Sequence, residues 1–402
     1  MQLNLDTCFI DAYLCIYMHT YSDTENITLS TSKSSDRLRI ALIGASGYSG
    51  MELGRCLLRH PKVKSLTLIV NETPISPKIW IPEARHHSLS CLTLSQFKSS
   101  TSEFDLVFLA TPAEVSMEIA PQLLSAKLKV IDLSGAFRLP NSDSYEQWYG
   151  FKHTHPDFLS LAHYGLVPFH TNKNPEAISL IANPGCYATA VQMALIPLLK
   201  ASLIHLDTLV IDAKSGTTGA GKKASETQLF AEVSEDCFAY RIGQHQHFPE
   251  IQHYLTQFSN KLEIDHSSVV DQSNNAHHLI DPIFSTTLLP IRRGIIASIY
   301  ARVKEGVREF EIEQAYEGAF VNYPLVRINS AKTPESKSLL SLRTVVGSAR
   351  NHITYAINGN KLQIYSNIDN LMKGAATQAI ENMNYLNHWP IDTGLTDFEG
   401  LI

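Results

Sequence analysis

The segment with the clearest chemical potential is Asn183-Pro184-Gly185-Cys186-Tyr187-Ala188-Thr189-Ala190. Pro-Gly enforces a turn, and apolar residues at helical spacing follow from Tyr187 to Leu199, so Cys186 falls at the start of a helix. The partial positive charge of a helix N-terminus favours a thiolate and lowers a thiol pKa, which is how a covalent nucleophile is made. Cys8, Cys15, Cys56, Cys91 and Cys237 lack that context and are read as inert thiols. A thiol nucleophile needs a base for its proton and an acid for the departing oxygen. His245-Gln246-His247-Phe248-Pro249-Glu250-Ile251 offers two imidazoles for both tasks and a carboxylate to orient one ring. The same residues could hold a metal, but no other cluster with ligand spacing supports one, and none is expected.

Gly44-Ala45-Ser46-Gly47-Tyr48-Ser49-Gly50 follows an apolar run, Leu38 to Ile43, and opens a helical pattern from Met51 to Leu58. In that context glycines let backbone N–H groups approach a pyrophosphate, so a dinucleotide is the expected ligand. The second apolar run, Val63 to Val70, is followed by Asn71. An NAD site often places an acid there, and Glu72 comes one residue late, which leans toward NADPH. Two further segments close apparent strands with groups suited to anions. Asp132-Leu133-Ser134-Gly135-Ala136-Phe137-Arg138 brings a hydroxyl and a guanidinium, and Asp212 to Lys223 brings glycines, hydroxyls and lysines. Arg292-Arg293-Gly294 is another candidate anion grip.

The elements that must position these groups alternate. Strand patterns at Leu38–Ile43, Val63–Val70, Leu106–Ala110 and Val130–Leu133, with helices at Met51–Leu58 and Ala113–Leu124, predict a doubly wound parallel sheet of the α/β, Rossmann-like class. Residues 37–182 are read as that domain. Residues 141–174 read as loop and edge structure. Residues 183–366 read as an α+β catalytic domain, with strands at Asp207–Ala213, Ile291–Val303 and Leu362–Tyr365 and a polar surface insertion at 265–278. A helix over Asn370–Asn384 lies in the stretch 367–402, which completes the first domain. The chain has 402 residues, 44% of them hydrophobic, enough for two or three folding units at ~100–200 residues each. A net charge of -6 and no long basic block argue against nucleic acid, and no apolar run is long enough for a membrane span. Scattered cysteines fit a reducing compartment, hence the cytoplasm. Residues 1–36, with four acids and no Lys or Arg before Lys33, fit neither a secretory signal nor a mitochondrial presequence and are read as an unstructured extension.

Eight motifs in one order, namely GASGYSG, DLSGAFRL, YGFKHTHPDF, IANPGCYATAVQMALIP, KSGTTGAGKK, HQHFPEI, RRGIIASIY and DNLMKGAATQAIENMN, make the chain from Arg37 onward resemble the N-acetyl-gamma-glutamyl-phosphate reductases of the semialdehyde dehydrogenase superfamily. The resemblance implies a Rossmann NADP domain, an α+β catalytic and oligomerisation domain, and a C-terminal helix that returns to the first. It implies NADPH-dependent reduction of N-acetyl-glutamyl 5-phosphate to the 5-semialdehyde in arginine biosynthesis, by a homodimer or homotetramer. Cys186 matches the nucleophile. His247 is taken as acid/base with Glu250 orienting it, and His245 as the alternative. Cofactor contacts are expected from Gly44, Ser46, Gly47, Tyr48, Ser49 and Gly50, and from Ser134, Ser215, Gly216 and Asn370. Substrate contacts are expected from Asn183, Arg138, Arg293 and Lys222. Gln246 and Thr287 depart from the usual His-Arg-His and Pro-His-Leu, and mark where the acyl group is chosen. A carrier-bound acyl substrate and a non-catalytic dinucleotide-binding regulator are the rival readings.

Overall fold

In this computed structural model the described residues are 37–71, 76, 80–81, 89–169, 172, 174–266 (backbone only for 260–266) and 279–396. The N-terminal extension with Cys8 and Cys15, Glu72, and residues 267–278 of the expected insertion lie outside them. Two sheets organise the chain. The first contains β1 (Leu38–Ile43), β2 (Val63–Val70), β3 (Leu89–Thr93), β4 (Leu106–Leu109), β5 (Lys129–Asp132), β6 (His163–Tyr164) and β7 (Leu180–Ala182). Their order is β3-β2-β1-β4-β5-β7-β6 and every pairing is parallel. Helices cover both faces, so Leu106–Leu109 is buried along its whole length and reads as an unbroken apolar run. The order reverses between β1 and β4, and a crevice opens beyond their carboxyl ends. Gly44, at φ +89°, sits so close that a Cβ there would lie 2.4 Å from the Ala110 carbonyl oxygen.

The second sheet contains β8 (Ile204–Ser215), β9 (Phe238–Ala239), β10 (Ile283–Leu288), β11 (Ile295–Val303), β12 (Val326–Ser330), β13 (Asn351–Asn358) and β14 (Lys361–Ile368). It is mixed, in the order β12-β13-β14-β11-β8-β10-β9, with antiparallel β8, β11 and β14 at its centre. The helix Cys186–Lys200 begins at the carboxyl end of β7 in the first sheet and packs along the second. Tyr187 to Leu199 are all buried, and each fully buried Leu or Ile there contributes roughly 1.5–3 kcal/mol. Its first residue therefore lies where the two sheets meet. The C-terminal helix Thr377–Leu386 returns to the helix Tyr48–Arg59 of the first sheet, and His60 Nε2 and Asn384 Oδ1 meet at 3.0 Å.

Several elements differ from the pattern expected. Residues 141–174 hold β6 at the sheet edge, as expected, but also short helices at Ser144–Tyr149 and Asp157–Leu161. The strand expected from Ile291 starts at Ile295, because Gly294 at φ +115° turns the chain first. Asp265 and His266 continue the helix Phe248–His266 rather than open an insertion. β13 escaped the apolar pattern because Asn351, His352 and Thr354 are buried polar residues; Asn351 Nδ2 donates to Ser366 Oγ at 2.9 Å.

Candidate active site

The strand β7 delivers the chain into Asn183-Pro184-Gly185, and Cys186 is the first residue of its helix, as the turn chemistry predicts. Every part of this turn is tied down. The Asn183 amide donates to the Asp132 carbonyl (2.8 Å), the Asn183 carbonyl accepts from Arg138 Nε (2.8 Å), and Gly185 N donates to Glu250 Oε1 (2.8 Å). Gly185 must be glycine, since a Cβ would stand 2.5 Å from Nε2 of His247. The imidazole thus lies directly over the residue preceding the thiol. The helix start has no side-chain cap, so its first amides are free to meet charge developing at Cys186. The expected lowering of the thiol pKa is corrected. Burial pushes Cys186 up to about 11, outweighing the Arg138 guanidinium and the Tyr187 amide, which pull it down. At rest this is a thiol, and it needs a base.

His247 supplies one. Burial first, then the neighbouring His245 ring and the Arg138 guanidinium, hold its pKa well below 6.5, so the ring is neutral at pH 7. Arg138 Nη1 faces its Nε2 at 3.4 Å. A guanidinium only donates, so that nitrogen carries the lone pair. His247 Nδ1 is buried and has no hydrogen-bond partner among the described residues. Glu250 was expected to orient this ring and does not. Its carboxylate accepts from Gly185 N and from the Tyr164 hydroxyl (2.7 Å), and it stands 3.7 Å from Arg138, so it braces the nucleophile's turn. His245 is enclosed edge-on by Tyr187, Tyr240 and Phe284, and burial takes its pKa down to about 3. Its Nδ1 accepts the His247 backbone N–H at 3.1 Å, which makes it a support for the base.

Two cavities share this centre. One of about 500 Å³ runs from Gly47, Tyr48 and Ser49 past Thr111, Pro112, Ser134 and Asn370 to Cys186 and His247. The residues present fit a dinucleotide. Gly44 and Gly50 shape the turn, since a Cβ on Gly50 would lie 2.3 Å from the Gly44 carbonyl oxygen, and the helix Tyr48–Arg59 starts with no side-chain cap and no acid in its first turn. Ser46 is exposed and lies outside this lining. The second cavity, about 720 Å³, is lined by Tyr187, Ser215, Gly216, Tyr240, Arg241 and His245 and reaches the same Cys186, His247 and Gln246. Ser215 and Gly216, expected at the cofactor, line this second space instead, at the end of β8.

Other expected contacts are engaged in holding the site together. Arg293 is paired with Asp369 (2.9 Å) and Glu52 (3.1 Å), a link between the two sheets' elements rather than an open anion grip. Asn183 donates to the Ala375 carbonyl and accepts from Asn382. Asn370 accepts from Gly294 N and donates to Thr218 while lining the cofactor-side cavity. Lys222 rests over the Tyr48 ring, with Nζ 3.0 Å from Met51 Sδ, on the cofactor side. Arg138 is buried and already engaged by the Asn183 and Leu133 carbonyls, the His247 ring and the Glu250 carboxylate. Gln246 Oε1 accepts from Arg241 Nη1 at 2.7 Å, and Thr287 is half-buried in β10, paired with Lys214 of β8 and Ala239 of β9. Sequence reading missed Tyr240 and Gly374. A lone glycine inside an apolar helical pattern was the available signal for the last. Among the described residues no group of three or more His, Cys, Asp or Glu is placed to hold a metal, and no helix is long and apolar enough to cross a membrane.

Comparison with known proteins agrees with this architecture. Residues 39–178 match the semialdehyde dehydrogenase NAD binding domain and residues 186–370 the semialdehyde dehydrogenase dimerisation domain. The chain is 39% identical over 362 residues to an N-acetyl-gamma-glutamyl-phosphate reductase of Listeria welshimeri, covering 89% of this chain and 98% of that protein. It is 37% identical over 363 residues to one of Bacillus cereus, with the same coverage. Among solved structures, aspartate semialdehyde dehydrogenase II of Vibrio cholerae shares the fold at a TM-score of 0.62 and 15% identity, over 88% of this chain and 99% of that one. The aspartate semialdehyde dehydrogenase of Francisella tularensis does so at 0.58 and 14%, over 86% and 99%. The chain belongs to the semialdehyde dehydrogenase family, in the group whose members are called N-acetyl-gamma-glutamyl-phosphate reductases.

Proposed function

We propose that this protein reduces N-acetyl-L-glutamyl 5-phosphate to N-acetyl-L-glutamate 5-semialdehyde and phosphate with NADPH, through a thioester on Cys186, as a cytoplasmic homo-oligomer in arginine biosynthesis. The observation that carries the reading is the meeting of two cavities at Cys186 and His247, one fitted to a dinucleotide and the other roomy enough for an acyl phosphate. NADP is preferred because β2 ends at Val70 and is followed by Asn71, not by a carboxylate that would bind a ribose hydroxyl and repel a 2′-phosphate.

His247 takes the thiol proton at Nε2, and the thiolate attacks the acyl carbon. The carbon–oxygen bond to phosphate breaks, and the same imidazole returns the proton to the departing oxygen. The free amides at the start of the Cys186 helix receive the oxyanion. When bound, the nicotinamide supplies the hydride that reduces the thioester carbonyl. Collapse of the thiohemiacetal breaks the carbon–sulfur bond and frees the aldehyde, and the thiolate is reprotonated from solvent by way of His247. Arg138 faces the ring nitrogen of the resting imidazole, and Glu250 keeps the turn fixed.

The test runs the reaction backwards. Purified protein with NADP, phosphate and N-acetyl-glutamate semialdehyde is expected to form NADPH, read by its absorbance, and to do so better than with N-succinyl-glutamate or aspartate semialdehyde. Turnover of another semialdehyde alone would overturn the substrate assignment and leave the thioester chemistry standing.

A further inference from the structure

Below the nucleophile lies a buried ion pair that the reaction scheme does not use. Lys373 and Glu381 are fully buried, and Lys373 Nζ donates to both carboxylate oxygens of Glu381 at 2.7 and 2.8 Å. The Tyr323 hydroxyl accepts from the same ammonium and donates to the same carboxylate. The C-terminal helix does not begin as an α-helix. Met372–Ala376 is a π-turn, in which Gly374 N donates to the Asp369 carbonyl and Ala376 N to the Leu371 carbonyl, both at 2.9 Å. Single π-turns inside helices are uncommon and require a local cause.

The spacing of the pair supplies one. Residues eight apart in an unbroken α-helix point roughly 80° away from each other, whereas residues seven apart differ by only about 20°. The π-turn absorbs one residue, so Lys373 and Glu381 share a face as an i,i+7 pair would. The other end of the turn is pinned by Asp369, which accepts from Leu371 N, Met372 N, Gly347 N and Arg293. Between these anchors sits Gly374, where a Cβ would come within 2.7 Å of Cys186 Cβ. Ala375 beside it accepts from the Asn183 side chain of the nucleophile's own turn. A slip of one residue would bring a residue that has a side chain against Cys186.

We propose that the Lys373–Glu381 pair locks the π-turn in register and so sets the floor beneath Cys186, which makes both of them positioning residues for the nucleophile. This rests on the reading of Cys186 as the attacking group. Lys373→Met is expected to lower kcat about 10²-fold, the size of loss that a misplacement near 1 Å produces. The pH profile of Cys186 alkylation by iodoacetamide should be displaced. Its Tm should also fall, because Glu381 is left buried and uncompensated. The double variant Lys373→Met/Glu381→Met removes the stranded charge and is expected to regain Tm, with kcat and the alkylation profile still displaced. Recovery of both along with Tm would mean that the pair serves stability alone and would overturn the proposal. Should Lys373→Met fail to fold, the double variant and Gly374→Ala decide the matter, and a Gly374→Ala protein with unchanged kcat and alkylation also overturns it. The alkylation measurement needs no substrate, so its outcome is separable from failure of the proposed reaction in the unmodified protein.

Discussion

Two helices start from the carboxyl edge of the same parallel sheet, and they are built in opposite ways. After β1 the turn holds itself by its own backbone, Gly47 N to the Gly44 carbonyl at 3.2 Å, and its lining in the cleft is Gly47, Tyr48 and Ser49. After β7 the turn is gripped from outside by Asp132, Arg138, Glu250 and Asn382, and the helix carries a thiol at its first position. The first arrangement suits a ligand that brings its own charge and must come and go. The second suits a covalent step, in which the attacking atom cannot be allowed to drift. Equivalent positions in one topology bind or react according to how firmly the turn is braced.

The sharpest way to break this contrast is Cys186→Ser. It is expected to abolish phosphate-dependent oxidation of the semialdehyde while NADP binding, measured by fluorescence titration, is retained; turnover in this variant would remove the nucleophile assignment. Next in size, His247→Asn is expected to cost on the order of 10²–10⁴ in kcat. A loss under about tenfold would transfer the role of base away from His247. On the other turn the balance is reversed. Gly44→Ala forces a side chain into left-handed backbone and against Ala110, with a backbone penalty of about 1–3 kcal/mol, and should weaken NADP while leaving the alkylation of Cys186 intact. Equal loss of both would show that the turns are not independent.

Protonation sharpens the comparison with a smaller effect. The folded pKa values of His247 and His245 are depressed, the latter to about 3, against an ordinary 6.5. Groups of this kind contribute stability that is present above the unfolded pKa, where neither state is protonated, and lost as pH falls below it. Tm should therefore decline from about pH 6.5 downward, and His245→Asn should flatten that decline. An unchanged acid limb in the variant would show that the ring is not held neutral by burial.

Much of the binding turn was legible in the sequence, because positive φ and close backbone approach demand glycine, and Gly44 and Gly50 declare it. Cys186 was legible for a similar reason, through Pro184 and Gly185. The braces were not. Glu250 lies three residues after His247 in the chain, yet it serves Gly185 and Tyr164, a choice made by tertiary packing and not by spacing. Arg293 looked free beside Arg292, and only the fold brings Asp369 and Glu52 to it. The thiol pKa went the other way from expectation for the same reason, since a helix start can be read locally and burial cannot.

A thioester on Cys186 is tested most directly by mass spectrometry of the protein mixed with N-acetyl-glutamyl phosphate in the absence of NADPH. One N-acetyl-glutamyl adduct is expected on the peptide that contains Cys186, discharged as semialdehyde when NADPH is added. No adduct, or an adduct on any other residue, would contradict it.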